Sequence, residues 1–459
     1  MRRRLHESTS RWLSQLALLV LAILPSAGVV AYCAWAQLPW YGLRQRSHWQ
    51  SLVSSACGLN VRIDAAEALA PHATLLRGVE LLHPETNATL AEVSRVRVQQ
   101  VAGQWLLEVG EVRIAADDMD VAWQAVEPFL LQRPGRTAVV SLAAHQVVVA
   151  GHRGTQCLAD FQLALLPDAA ATRLSMQFRL TTADSDRALR KDPLDQGHEG
   201  AALRGEVNDS GDADLARINI MRLHRDADLP TLFQLRTGAT PLPCTLLEPF
   251  WPTVKAFGEK AAVLGIADFR RNQQGWRLMV DDRGGAEHGL PVHQTGGLLL
   301  QDVDFAALPW KPGMGLTGQG WIWIGQGVVG AEGIELLRGG IRCGPGRISQ
   351  QLLASLAREL FVQVDAGLRT ASVAMVPYEQ GIFHYQIAPS SVRLAGAMDG
   401  GAMLVDGQGV LAARADWQSA IPLTNLAQAL DQVLVRNQRT GERNPLGRLA
   451  GGALVVGDR

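Results

Sequence analysis

Met176-Gln177-Phe178-Arg179-Leu180 decides how this chain folds. Every second residue is apolar and those between are polar, the period of a β-strand that buries one face and wets the other. The same rhythm returns at Leu59 to Ile63, Val96 to Val98, Leu107 to Ile114, Val139 to Val149 and Ile218 to Leu223. It continues at Trp276 to Val280, Trp321 to Ile324 and Phe383 to Ile387. Gly, Pro, Asn or Asp bounds each run, as strand-and-turn arrays require. The expected fold is therefore mainly β with a few helices, the strands forming a long curled antiparallel sheet.

Helical spacing is scarce. Tyr41 to Ala56 reads as a short helix with Gly58 as its C-cap. Asp120 to Leu131 carries an apolar side despite Pro128, and Asp117, Asp118 and Asp120 complement the positive end of its dipole. Thr245 to Gly258, which contains prolines, is expected as a helix with ill-defined ends. Ile348 to Leu360 follows, and a last helix is expected to start at Pro422.

Between Arg11 and Arg44 no residue is charged, and Leu16 to Ala36 is the most apolar part. About 20 residues at ~1.5 Å each cross a ~30 Å hydrocarbon layer. Arg2, Arg3, Arg4 and Arg11 precede it, which places the N-terminus in the cytoplasm and the body outside. Ala34-Trp35-Ala36 also fits a small-x-small cleavage site, but the apolar stretch exceeds a usual signal-peptide core, which favours an uncleaved anchor.

The organisation expected is a basic cytoplasmic N-terminus over 1–11, a transmembrane anchor over 12–40 and an N-terminal module over 41–131. A central strand array over 132–345 follows, with a polar loop at 181–200. A C-terminal segment that includes amphipathic helices spans 346–436, and a polar tail, 437–459, is expected to be poorly ordered.

With 459 residues, 47% hydrophobic and 19% charged, the composition is that of a folded protein. The net charge of −1 supplies no basic field, so no nucleic-acid partner is expected. Five cysteines lie far apart with no C-x-x-C, which removes zinc-finger spacing. An oxidising compartment would allow a disulfide, but most of these residues read as small apolar fillers.

Anchor, short helix, Gly58-Leu59-Asn60-Val61-Arg62-Ile63, Leu76-Arg77-Gly78-Val79-Glu80-Leu81 and Leu90-Ala91-Glu92-Val93-Ser94-Arg95-Val96-Arg97-Val98 form one ordered pattern. It resembles the N-terminal part of AsmA-like envelope proteins. Gly346-Arg347-Ile348-Ser349 before a leucine helix, and Asp406-Gly407-Gln408-Gly409 before Ile421-Pro422-Leu423, resemble that family's C-terminal stretch. The resemblance covers the first third well and the last quarter loosely, and the middle matches in rhythm only. It implies an open trough related to chorein-type bridge-like lipid transfer proteins, an inner-membrane location with the body in the periplasm, and phospholipid as the partner. It brings no catalytic residue and no cofactor. About 16 strands at ~4.8 Å give a trough of only ~75 Å, so a second envelope protein, or a role at one membrane, is expected.

Candidate lining residues are Met176, Phe178, Leu180, Ile218, Ile220, Trp321 and Trp323. Other patterns carry less. Gly313, Gly315 and Gly318, and Gly325, Gly327 and Gly330, match G-x-G-x-x-G, but no helix and no acid follow at the dinucleotide-binding distance, so these glycines read as hairpin turns. Asp281, Asp282, Glu287, His288 and His293 are metal-ligand types that a solvated turn explains equally well, and no metal is assigned. His145 and His384 sit in strand runs and read as structural. No nucleophile-elbow, zincin or P-loop motif occurs. The function expected is phospholipid binding or guidance for envelope maintenance. The alternatives are a scaffold that recruits partners through sheet edges, or an exported enzyme.

Overall fold

A computed structural model describes residues 12, 20, 26, 39–70, 72–115, 119–131, 138–151, 154–181, 215–225, 230–248, 252–272, 275–280, 297–310, 315–330, 333–370 and 374–431. Most of the anchor expected at 12–40, most of the loop at 181–200, the acid and histidine cluster at 281–293 and the tail at 437–459 lie outside them. No described helix is long and apolar enough to cross a membrane.

Helix α1 spans Pro39–Cys57, so it begins inside the stretch expected as anchor. Gly58 closes it with φ +73°, its N–H bonded to the Ser54 carbonyl at 2.9 Å. A Cβ there would lie 2.0 Å from the Phe129 ring, so glycine serves both the left-handed cap and the close approach.

Strands β1 (Asn60–Ala70), β2 (Ala73–Leu82), β3 (Thr89–Val101) and β4 (Gln104–Ala115) form an antiparallel meander. β4 is followed by helix α2 (Met119–Leu130), and β5 (Val140–Gly151) returns parallel to β4, Trp105 beside Val140 and Ala115 beside Ala150. The sheet is mixed, not antiparallel throughout. A parallel neighbour needs a crossover long enough to carry the chain back, and α2 supplies most of it.

Antiparallel pairing resumes with β6 (Gly154–Pro167), β7 (Ala171–Thr181), β8 (Ala216–Leu223) and β9 (Thr231–Arg236). After the short β10 (Leu242–Pro243), β11 (Ala262–Asn272) pairs with β9. Its other edge carries β12 (Gly275–Val280) along one half and β13 (Leu298–Asp304) along the other. At that junction Gly265 has φ +124°, and a Cβ would meet the Gly297 carbonyl oxygen at 2.1 Å. Both β12 and β13 then pair with β14 (Gln319–Gly330), followed by β15 (Gly333–Cys343).

The C-terminal part comprises β16 (Gly346–Ser349), α3 (Gln350–Glu359), β17 (Gln363–Val364), α4 (Ala366–Thr370), β18 (Met375–Tyr378) and β19 (Gln380–Ala388). After them come β20 (Ser391–Gly396), β21 (Ala402–Asp406), β22 (Gly409–Ala413), β23 (Ile421–Pro422) and α5 (Leu423–Asp431). β19 joins β15 and continues the ladder into β20 and β21. Among the described residues 21 strands belong to this one sheet, and the only other is the β16–β18 ribbon.

Three helix expectations shift. Thr245 to Gly258 is two 3₁₀ turns, Cys244–Leu246 and Pro252–Phe257, because proline at 249 and 252 removes donors an α-helix needs. Ile348 lies in strand β16, and Ser349, which ends that strand, caps α3 by accepting from the Leu352 N–H at 3.1 Å. Pro422 closes β23, and the final helix begins one residue later. Gly325 and Gly327 lie within β14, whereas Gly330 ends it, paired with Gly333 at the hairpin into β15, and Gly315 and Gly318 precede β14 with positive φ.

No disulfide joins the described cysteines. Burial pushes the Cys244 thiol up to about 12, and burial raises Cys343 as well. At pH 8 the Cys244 thiol forms almost no thiolate, and both sulfurs are shut away from solvent. We expect iodoacetamide to leave both unmodified in the native protein and to label both in denaturant, read by peptide mass spectrometry. Native labelling at the denatured rate would contradict their burial.

Candidate functional site

Paired residues in a β-ladder stand on the same face, so register traces a surface strand by strand. One row runs Leu76, Val96, Val109, Ala144. A second runs Leu107, Leu142, Leu163, Met176, Ile218, Leu235, Ala267. Leu165, Leu174, Ile220, Phe233, Phe269 and Leu278 form a third. Farther on, Ile322, Ile341 and Phe383 align, as do Leu298 and Ile324, and then Tyr385 and Leu394. The outcome is an apolar wall that runs on from strand to strand, all of it within one packed cluster.

Much of the opposite face is polar, although Leu264, Leu299 and Trp323 form an apolar row on it. Ser175 donates to Asn219 at 2.7 Å, Asn219 to Gln234 at 3.4 Å and Gln234 to Asp268 at 3.1 Å, one ladder over four strands. Arg62 pairs with Glu80 at 3.5 Å and Arg97 with Glu108 at 3.4 Å. Ile220 is 0% exposed and Leu174 1% on the apolar face. A flat single layer would leave such residues half wet. No second large sheet covers them among the described residues, so the described cover comes from the curl of the sheet and from helices and turns packed on its inner side.

Two helices sit at the N-terminal end. Trp49 of α1 meets Trp105 of β4 edge to face, with centroids 6.0 Å apart, and Met119, Trp123 and Leu130 of α2 pack on the same cluster. Burial along the wall is uneven. Phe178, Ile218 and Ile220 are buried, whereas Leu142, Phe161, Leu163, Met176 and Leu180 are half-buried. Phe161 and Phe178 stack with centroids 6.1 Å apart.

Five of the seven residues named from the sequence are therefore brought together on this wall: Met176, Phe178, Leu180, Ile218 and Ile220. Trp321 and Trp323, expected on the same lining, are not. Ile322 and Ile324 take the inner phase of β14, and both tryptophans point to the other side. Trp-Ile-Trp-Ile is apolar in both phases, so alternation cannot choose between them. The pairing partners choose. Trp323 stands opposite Gly340, and Trp321 beside Arg342, whose guanidinium lies 5.5 Å from the indole centroid. Trp321 remains 45% exposed.

A polar layer that the reading of the sequence overlooked ends the wall on β7, β8 and β9. Thr172, Arg222 and Thr231 are cross-strand partners two residues beyond Leu174, Ile220 and Phe233, hence on the inner face. Arg222 donates from Nε to the Thr231 hydroxyl at 3.0 Å and from a terminal nitrogen to Glu127 of α2. The Thr172 hydroxyl lies 2.8 Å from His224 Nε2. The signal was present: in Ile218-Asn219-Ile220-Met221-Arg222 a charge occupies the apolar phase.

A separate cleft of about 670 Å³ lies beside α3, lined by residues including Leu353, Arg358, Val362, Val364 and Leu368. Its arginine pairs with Glu359 at 2.6 Å. His145 and His384 are exposed on strands β5 and β19. Among the described residues no three His, Cys, Asp or Glu side chains group as metal ligands. No known protein family, no curated protein and no solved structure matches this chain.

Proposed function

We propose that this protein binds phospholipid acyl chains along the inner wall of its sheet, as a membrane-anchored envelope protein of AsmA-like type. The observation that carries the reading is the apolar register that runs from β2 to β20, with a hydrogen-bonded polar ladder on the outer face of β7, β8, β9 and β11. Alkyl chains gain ~0.8 kcal/mol per buried methylene, so a long apolar wall suits them. Half-buried Leu142, Phe161, Leu163 and Met176 are the stretch such chains would cover. The anchor belongs to the proposal through the uncharged run between Arg11 and Arg44.

Detergent-purified full-length protein should carry phospholipid in native mass spectrometry. Leu163→Glu and Met176→Glu should lower bound lipid by about tenfold, a change of ~1.4 kcal/mol, with the far-ultraviolet circular dichroism unchanged. Wild-type protein free of lipid, with its fold intact, would overturn the proposal.

The near-complete burial of Leu174 and Ile220 favours a second reading, in which the sheet is a closed-core scaffold for protein partners. That reading expects the same two glutamate variants to unfold instead of merely losing lipid.

A further inference from the structure

We propose that the Glu127–Arg222 pair holds the headgroup of a zwitterionic phospholipid, with Arg222 on the phosphate and Glu127 on the amine; this rests on the lipid-binding reading above. The pair stands where the apolar phase of β8 turns polar. Buried Ile218 and Ile220 precede it in the same phase, continuous with half-buried Met176 and Leu163 on the neighbouring strands, and Arg222 is the next residue in phase. An amphipathic ligand has the same order of chemistry, chains first and charge last.

The two side chains are 23% and 15% exposed, Arg222 and Glu127 respectively, so solvent reaches a pair that protein largely surrounds. Arg222 has five N–H donors, and its contacts to Glu127 and Thr231 leave donors for a phosphate. Glu127 uses Oε1 for Arg222, and its second oxygen meets no donor among the described residues. Thr172 and His224, 2.8 Å apart, add hydrogen-bonding groups beside them. One positive and one negative group side by side complement a phosphoethanolamine. They would repel part of a purely anionic headgroup, because the carboxylate faces its charge.

Vesicles of equimolar phosphatidylethanolamine and phosphatidylglycerol test this, with lipid taken up by the full-length protein quantified by mass spectrometry. The wild type should favour the zwitterionic lipid. Glu127→Gln should lower that preference about tenfold, and Glu127→Asp should restore it. Arg222→Gln should reduce uptake of both lipids. A wild type that favours the anionic lipid overturns the assignment without any variant, and so does a folded Glu127→Gln protein with an unchanged ratio. Glycerophosphoethanolamine, the headgroup without chains, should compete poorly, and competition equal to that of the lipid would overturn the role of the wall. No lipid uptake at all would instead remove the underlying function.

Discussion

Ile220→Asp should abolish the folded state of the central strands, whereas Trp321→Asp should cost only about 1 kcal/mol. Ile220 is 0% exposed in the middle of the inner wall, between Leu174 and Phe233. An aspartate there has no partner and loses its hydration, a penalty beyond ~4 kcal/mol, and even Ile220→Ala should cost ~2–5 kcal/mol through the cavity it leaves. Trp321 is apolar too, but it lies on the other face, 45% exposed, where it loses mainly its contact with the Arg342 guanidinium. Urea unfolding of the two variants, followed by tryptophan fluorescence and circular dichroism, compares the faces directly. Equal losses would mean that the inside-outside assignment of β8 or β14 is wrong.

Arg414→Met should destabilise the C-terminal part by ~3–5 kcal/mol. Arg414 is 8% exposed, an uncommon burial for a guanidinium. It donates to the carbonyls of Leu394 at 3.0 Å, Leu360 at 2.9 Å, Phe361 at 3.2 Å and Ser419 at 3.4 Å. These four belong to the β20 strand, the residues after α3 and the approach to β23, so one side chain ties three segments. Methionine fills a similar volume and donates nothing, and it leaves carbonyls that water cannot readily reach. Phe361, held at φ +54° in this region, should lose its fixed conformation. Hydrogen exchange over residues 360–422 is the measurement. Protection equal to that of the wild type would show that the arginine is not what joins these segments.

Strand existence was legible because alternation is a local property. Met176 to Leu180 and Ile218 to Leu223 could be assigned to strands, and to one apolar phase each, without knowing their neighbours. α1 and its Gly58 cap were equally readable, since both signals lie within a few residues. The parallel return at β5 was not. Alternation says nothing of strand direction, and only the path of α2 places Val140 beside Trp105. The Thr245 to Gly258 region shows a local signal read too generously, since its prolines were visible and break the helix.

For the candidate site the divide is similar. Met176, Phe178, Leu180, Ile218 and Ile220 could be grouped because polar residues separate them. Trp321 and Trp323 could not be placed, because isoleucines occupy the other phase. Glu127 and Arg222 lie 95 residues apart, and nothing local links them. Arg222 was visible as a charge in an apolar phase, but its partner came from a helix in another part of the chain.

The amino-acid order by itself determined a mostly β protein whose strands have one greasy and one wet side, since the two-residue period is fixed within each strand. Only the folded chain decided the running order of those strands, the reversal of one of them and which side of β14 faces inward. Those choices depend on register between segments far apart in sequence, where a shift of one residue exchanges the two faces.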